Sequence, residues 1–251
     1  MEKIIHYNLL SQQAAVWWLG QAGYIIKSMD LTIALDPYLS DAAAEGAPEF
    51  TRLYPTPIAP EALDVSLFLV THDHLDHLDP VTIRAYKNKS TTRFVAPRLA
   101  AKKLISLNVP EERVTVLHPG ESYRHQSVEV TAVFALATSA DVLDTIGYLI
   151  RFDNGRSLYH TSDTEFHPIV VAAAPKNPEV MFVAINGKWG NPNPDNAVQF
   201  AKWIQPKFVI PNHYDLMAFN AENPEVFKWF CMQQGMGDAC VILERMVPFV
   251  W

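Results

Sequence analysis

Val65-Ser66-Leu67-Phe68-Leu69-Val70, followed at once by Thr71-His72-Asp73-His74-Leu75-Asp76-His77-Leu78-Asp79, is the stretch that decides what kind of chain this is. The first six residues form an apolar run with β-branched members and polar flanks, the pattern of a strand buried on both faces. Pro80 then opens a helix predicted over 81–87, with Asp79 placed as its N-cap. Between strand and helix lie three of the nine histidines of the chain. In extended chain, residues two apart point the same way, so His72 and His74 can aim at one point. A turn then brings Asp76 and His77 beside them. Neutral imidazole and carboxylate are ligands for divalent metals such as zinc, manganese or iron. A single loop histidine is ordinarily just solvated. Three of them interleaved with aspartates directly after a core strand have no packing explanation.

Working outward, 14–19, 24–27 and 32–35 are short apolar runs separated by turns, and they read as a strand meander. Asp36-Pro37 closes the third. Residues 40–63 are punctuated by prolines and have little periodicity, which predicts a long loop. A strand over 93–96, a helix over 97–107 and a strand over 113–117 follow. The second half has strands over 128–136 and 146–152, then the hairpin turn Asp153-Asn154-Gly155 into 157–159. Further on come a strand over 180–185, a helix over 194–203 and a strand over 207–210. A helix over 224–234 and a last strand over 241–243 complete the chain. His167 reads as a helix-start residue, and alternation of Trp17 and Trp18 across a strand places one of them in the core. Two more strand ends carry ligand chemistry: Asp163 after 157–159, and His213 after 207–210. No linker or composition shift divides residues 1–251, so a single domain is expected. The pattern predicts an α/β fold with two mostly antiparallel or mixed sheets face to face and helices outside.

The 251 residues are 49% hydrophobic and 19% charged, an ordinary globular balance. A net charge of −7 argues against a nucleic-acid partner, which calls for clustered positive charge. The two cysteines, Cys231 and Cys240, are too few for a disulfide framework or a cysteine-type zinc site and read as buried small hydrophobes. No signal-like start and no membrane-spanning run is visible, so a cytoplasmic protein without a membrane partner is expected. The partner expected is a small-molecule substrate, with a homo-oligomer left open.

The segment His72-Asp73-His74-Leu75-Asp76-His77 matches the H-x-H-x-D-H signature of the metallo-β-lactamase superfamily. A closer likeness is to metal-dependent hydrolases similar to L-ascorbate-6-phosphate lactonase. It is carried by Trp17-Trp18-Leu19-Gly20-Gln21-Ala22-Gly23, Pro119-Gly120, Leu158-Tyr159-His160-Thr161-Ser162-Asp163 and Val209-Ile210-Pro211-Asn212-His213-Tyr214-Asp215, and it runs from about Val16 to Asp215. The resemblance implies an αβ/βα four-layer sandwich and two adjacent metal positions. One would be held by His72 and His74, the other by Asp76, His77 and His213, with Asp163 bridging. The family usually supplies another His where this chain reads Ala137-Thr138-Ser139-Ala140-Asp141. The His72/His74 position is therefore expected to be weak, empty or completed by a carboxylate such as Asp141 or Asp144. One or two divalent ions are implied, and carboxylate ligands make manganese as plausible as zinc.

A bound ion would bring the pKa of its water from about 15.7 toward about 7, with Asp76 or Asp163 as the proton acceptor. Asp73 and Asp36 are expected to orient imidazole N–H groups, and His160 to stand behind Asp163. Lys188 is a candidate for an anionic substrate group, with Asn186 beside it in the loop after 180–185. The function implied is hydrolysis of a small lactone or ester, phosphorylated or not. The alternatives are a phosphodiesterase acting on a small phosphodiester, a non-catalytic metal-binding relative, and a diiron redox protein. His74 speaks against the last, since the diiron relatives typically carry Glu there.

Overall fold

The computed structural model describes residues 1–29, 31–138 and 142–251. Among the described residues, thirteen strands form one sheet of seven and one of six. The first half supplies β1 (Ala14–Gly20), β2 (Gly23–Ser28), β3 (Leu31–Leu35), β4 (Leu67–Leu69), β5 (Arg93–Ala96) and β6 (Val114–Val116). The second supplies β7 (Ser122–His125), β8 (Val128–Phe134), β9 (Ile146–Phe152), β10 (Ser157–His160), β11 (Val180–Ala184) and β12 (Phe208–Asn212). The chain then returns to the first sheet as β13 (Phe249–Val250), beside β1. The helices are α1 (Glu2–Ile5), α2 (Pro80–Ala85), α3 (Arg98–Ser106), α4 (Pro168–Ala173), α5 (Pro194–Ile204) and α6 (Pro224–Gln233).

Each half begins as an antiparallel meander and continues as parallel strands. In the first, β1, β2 and β3 are antiparallel and β3 to β6 parallel. In the second, β7 to β10 are antiparallel and β10, β11 and β12 parallel. Parallel neighbours need crossovers, which the 40–63 loop supplies between β3 and β4 and the helices α2, α3, α4 and α5 supply between the other pairs. The result is the expected α/β sandwich of two mixed sheets with flanking helices.

Period-two alternation separates the layers. In β1 and β4, Val16, Trp18, Leu67 and Leu69 enter the core between the sheets. Their neighbours Ala15, Trp17, Phe68 and Val70 pack instead with Ile83 and Tyr86 of α2 and its C-cap and with Leu104 of α3. The expectation of a single core tryptophan is thereby corrected. Both Trp17 and Trp18 are buried, because this sheet is covered on both faces. The sheets meet through aromatic stacking as well: Tyr24 of β2 lies on Phe182 of β11, with ring centroids 4.2 Å apart.

Other boundaries also shift. The strand expected over 241–243 is absent, since only Cys240 bridges Val209 before the chain leaves that edge. The strand forms later, where the main chains of Trp251 and Ala14 exchange two hydrogen bonds. The short elements α1, α4, β7 and β13 lack a long periodic stretch and were not anticipated, although His167 does cap α4 by accepting from Ile169 N. Asp79 caps α2 as predicted, accepting from Val81 N at 2.9 Å. Its carboxylate also takes Ser40 Oγ at 2.8 Å and Leu39 N at 3.2 Å. It therefore anchors the start of the 40–63 loop, which is broken into three short 3-10 turns. Among the described residues, no helix is long and apolar enough to cross a membrane.

This topology sets the position of the site. The C-terminal ends of β3 and β4 lie side by side, and so do those of β10, β11 and β12. Asp36, the 71–79 segment, Asp163 and His213 all follow such ends, where α/β scaffolds place ligands.

Candidate metal centre

After β4 the chain turns tightly, with His77 N and Leu78 N both donating to His74 O. The turn folds the segment back on itself. One ligand atom from each of His72, His74 and Asp163 lies within 4.8 Å of the others, and so does one from each of Asp76, His77 and His213. The Nε2 of His72 stands 2.9 Å from Nδ1 of His74. Asp163 belongs with both groups, since its Oδ1 lies 2.9 Å from His213 Nε2 and 3.5 Å from His77 Nε2. It also supplies the third donor beside His72 and His74. Asp144 does not, because its carboxylate accepts from Leu99 N at 3.0 Å, at the start of α3. Asp141 lies outside the described residues.

The donor set suits a divalent cation. His77 Nε2, His213 Nε2 and Asp163 Oδ1 are buried with no hydrogen-bond partner among the described residues. Buried polar atoms are almost always paired, so three orphaned atoms facing one point indicate a missing positive centre. Charge gives the same answer. Burial opposes a charge on His77, yet Asp163, Asp76 and Asp36 outweigh it and raise its pKa to about 10. Burial alone would push the Asp163 carboxyl up, but His213 and His77 hold it well below the usual carboxylate range. Burial, reinforced by His77, holds His72 well below the ordinary imidazole value and so in the neutral form a metal needs.

A short relay orients two of the imidazoles. His77 Nδ1 donates to Asp36 Oδ2 at 2.8 Å, and Thr71 Oγ1 donates to the same oxygen at 2.5 Å. Thr71 Oγ1 is in turn 3.0 Å from His72 Nδ1 and accepts its proton. With both Nδ1 atoms held in this way, both Nε2 atoms turn to the centre. Asp36 thus has the orienting place expected of it. The desolvation that raises its pKa is opposed by His77 and Thr71. Replacing Asp36 with Asn should lower zinc affinity 10–100-fold, because the charge is lost and an amide oxygen kept on Thr71 Oγ1 and His77 turns its NH2 against Thr71 N, which the carboxylate accepts at 2.8 Å. Competition against a chromophoric chelator measures this, and an unchanged affinity would contradict the relay.

The other expected residues fall out differently. Asp73 takes no imidazole among the described residues. Its main-chain oxygen accepts Lys103 Nζ at 2.6 Å, and its Oδ1 is buried without a partner. The expected role passes to Thr71. His160 lies beneath the centre, pushed by burial down to about 3. Its Nδ1 accepts Ser162 N at 3.0 Å, which shapes the turn that presents Asp163. Asn186 is buried and donates to Asn220 Oδ1 at 2.6 Å. The ammonium of Lys188 is occupied by the Phe219 carbonyl. Neither Asn186 nor Lys188 lines the cleft above the centre.

Two positioning residues escaped sequence reading. Gln21 Nε2 donates to Asp76 Oδ2 at 3.0 Å and stands 3.1 Å from His213 Nδ1. Asn191 Nδ2 donates to Asp163 Oδ2 at 2.9 Å, while its oxygen takes Thr164 N. The signal for Gln21 was present, since a lone amide sits in the turn between two apolar strands. Asn191 had none beyond its loop. Above the centre opens a cleft of about 390 Å³ whose floor is His74, Asp76 and Asp163. The 40–63 loop, Thr138 and the loop after β11 contribute its walls.

A family model described as "Beta-lactamase superfamily domain" matches residues 32–214. A UPF0173 metal-dependent hydrolase of Polynucleobacter asymbioticus is 30% identical over 217 residues, covering 79% of this chain and 73% of its own. Among solved structures, Igni18, a metallo hydrolase of Ignicoccus hospitalis, aligns with a TM-score of 0.76 at 18% identity, over 95% of this chain and 98% of that one. An isothiocyanate hydrolase from Delia radicum gut bacteria aligns with a TM-score of 0.76 at 15% identity, over 94% and 98%. At such identities the likeness is one of fold.

Proposed function

We propose, because this chain belongs to the beta-lactamase superfamily and to the UPF0173 metal-dependent hydrolases, that it cleaves a small lactone or ester with a metal-activated water. One observation carries this reading. Six ligand-type side chains converge at the floor of a cleft, with three of their buried atoms unpaired. His72, His74 and Asp163 would hold one ion, and Asp76, His77 and His213 would hold a second, with Asp163 shared. When bound there, a divalent ion, zinc or manganese, would supply Lewis acidity and lower the pKa of water.

The side chains of the protein do the rest. Asp36 and Thr71 keep the protons of His77 and His72 on Nδ1. Asn191 and Gln21 each hold one oxygen of Asp163 and Asp76, which fixes both carboxylates at the centre as acceptors for a proton from water. Both carboxylates open onto the cleft, with side chains 10% and 15% exposed, so substrate can reach them while most solvent is kept away.

Two measurements test this. Elemental analysis of protein purified without chelators should find one or two divalent ions per chain. A panel of γ-lactones, carboxylic esters and bis(p-nitrophenyl) phosphate should show turnover of lactones or esters that chelation abolishes and metal restores. Faster turnover of the phosphodiester than of every lactone and ester, or activity indifferent to chelation, would reject the reading.

A further inference from the structure

Phe50, Trp189 and Phe219 come from three separate loops and meet ring to ring. Centroid separations are 5.7 Å for Phe50–Trp189, 5.6 Å for Phe50–Phe219 and 5.8 Å for Trp189–Phe219. Phe50 and Trp189 line the cleft above Asp76 and Asp163. Trp189 is nonetheless 44% exposed and Phe219 48%. Large aromatics clustered in water at the mouth of a cleft mark a binding surface more often than a packing one. The backbone of Trp189 adds to this. Its φ is +49°, a left-handed conformation that bulky residues avoid and that persists where the surroundings enforce it, commonly at ligand sites.

Charge narrows the ligand further. No Lys or Arg is among the described residues that line the cleft. Lys188, the neighbour of Trp189, donates to the Phe219 carbonyl, and its ammonium lies 5.1 Å from the Phe219 ring. A phosphate carried on the substrate away from the metal centre would meet aromatic rings in a cleft whose described lining holds no cation, the nearby Lys188 ammonium being held on the Phe219 carbonyl. Moving such a charge out of water without a partner is strongly unfavourable. A flat apolar group would instead stack on indole and phenyl faces.

We infer that Phe50 and Trp189, buttressed by Phe219, form the specificity wall of the cleft, and that the substrate carries an uncharged, flat apolar group there in place of a phosphate. The inference rests on the hydrolytic reading above for the position of the scissile bond; recognition of the apolar group does not.

The zinc-loaded full-length chain can be titrated calorimetrically with 4-phenyl-2-pyrrolidinone, an unreactive lactam, with 2-pyrrolidinone, and with the para-phosphorylated phenyl derivative. The phenyl lactam should bind at least tenfold more tightly than 2-pyrrolidinone, and the phosphorylated compound at least tenfold more weakly than the phenyl lactam. Trp189→Asn, chosen because Asn tolerates the left-handed backbone, should bring the phenyl preference close to one. If that variant fails to fold, Phe50→Leu gives the same readout. Equal binding of the two uncharged lactams, or tighter binding of the phosphorylated one, overturns the inference. Turnover separates the two claims. A phenyl preference in binding with no lactone or ester hydrolysed sinks only the hydrolytic reading. Lactone hydrolysis with no preference for β-phenyl-γ-butyrolactone over γ-butyrolactone sinks only the aromatic wall.

Discussion

Replacing Asp163 with Asn should cost the protein at least one equivalent of bound metal and on the order of a thousandfold in kcat/KM. Among the described residues, Asp163 is the carboxylate placed with both ligand groups, its Oδ1 reaching His213 and His77 while it also clusters with His72 and His74. An amide of the same shape keeps a carbonyl oxygen for Asn191 Nδ2, so the turn after β10 has no reason to move. What disappears is the negative charge, and with it one of the three carboxylates that raise His77 to about 10. Binding a divalent ion then means gathering positive charge among four imidazoles with one acid fewer. The several kcal/mol of Lewis-acid stabilisation lost with the ion correspond to about three factors of ten. Elemental analysis and steady-state kinetics on folded protein measure both quantities. Full metal occupancy with turnover within tenfold of wild type would remove Asp163 from the centre.

Phe182→Ala should destabilise the fold by about 3–5 kcal/mol, the range for truncating a buried phenylalanine. Phe182 is fully buried in β11, stacks on Tyr24 of the opposite sheet at an interplanar angle of 7°, and meets His160 edge to face at 5.9 Å. It therefore fills the space between the sheets directly under the turn that carries Asp163. Its removal leaves a cavity that neighbouring strands cannot collapse into, since both are held by ladder hydrogen bonds. His160 loses support on the face away from the metal centre, so metal affinity should fall together with stability. Urea unfolding followed by circular dichroism reads the first effect and chelator competition the second. Trp203→Ala, at a side chain 62% exposed, is the control and should change stability by about 0.5 kcal/mol or less. A loss below 1 kcal/mol for Phe182→Ala would mean that the sheets do not depend on this contact.

Much of this molecule is legible one segment at a time. The β1–β3 meander, the buried β4, the cap of α2 by Asp79 and the hairpin between β9 and β10 each follow from local apolar spacing and turn residues. The ligand cluster is legible for the same reason: His72, His74, Asp76 and His77 are close neighbours along the chain, so their proximity needs no long-range fold. The likeness of the whole segment to a known signature then extends the set to Asp163 and His213. The misreadings share a cause. The apolar run 241–243 looks the same whether or not an edge is free to receive it, and the edge of β1 takes up 249–250 as its strand instead.

What the amino-acid order determined by itself is the set of elements, the layering of apolar faces and the chemical kind of the centre, because periodicity and side-chain chemistry are properties of short stretches. Tertiary structure alone decided who holds whom. It set Thr71 and Asp36 behind two imidazoles, Gln21 and Asn191 behind two carboxylates, Asp163 between the two ligand groups, and three aromatic rings at the mouth. Apart from Thr71 beside its neighbour His72, those meetings join residues 28 to 192 positions apart. They depend on how two sheets stack and where their strands stop, which no local pattern along the chain encodes.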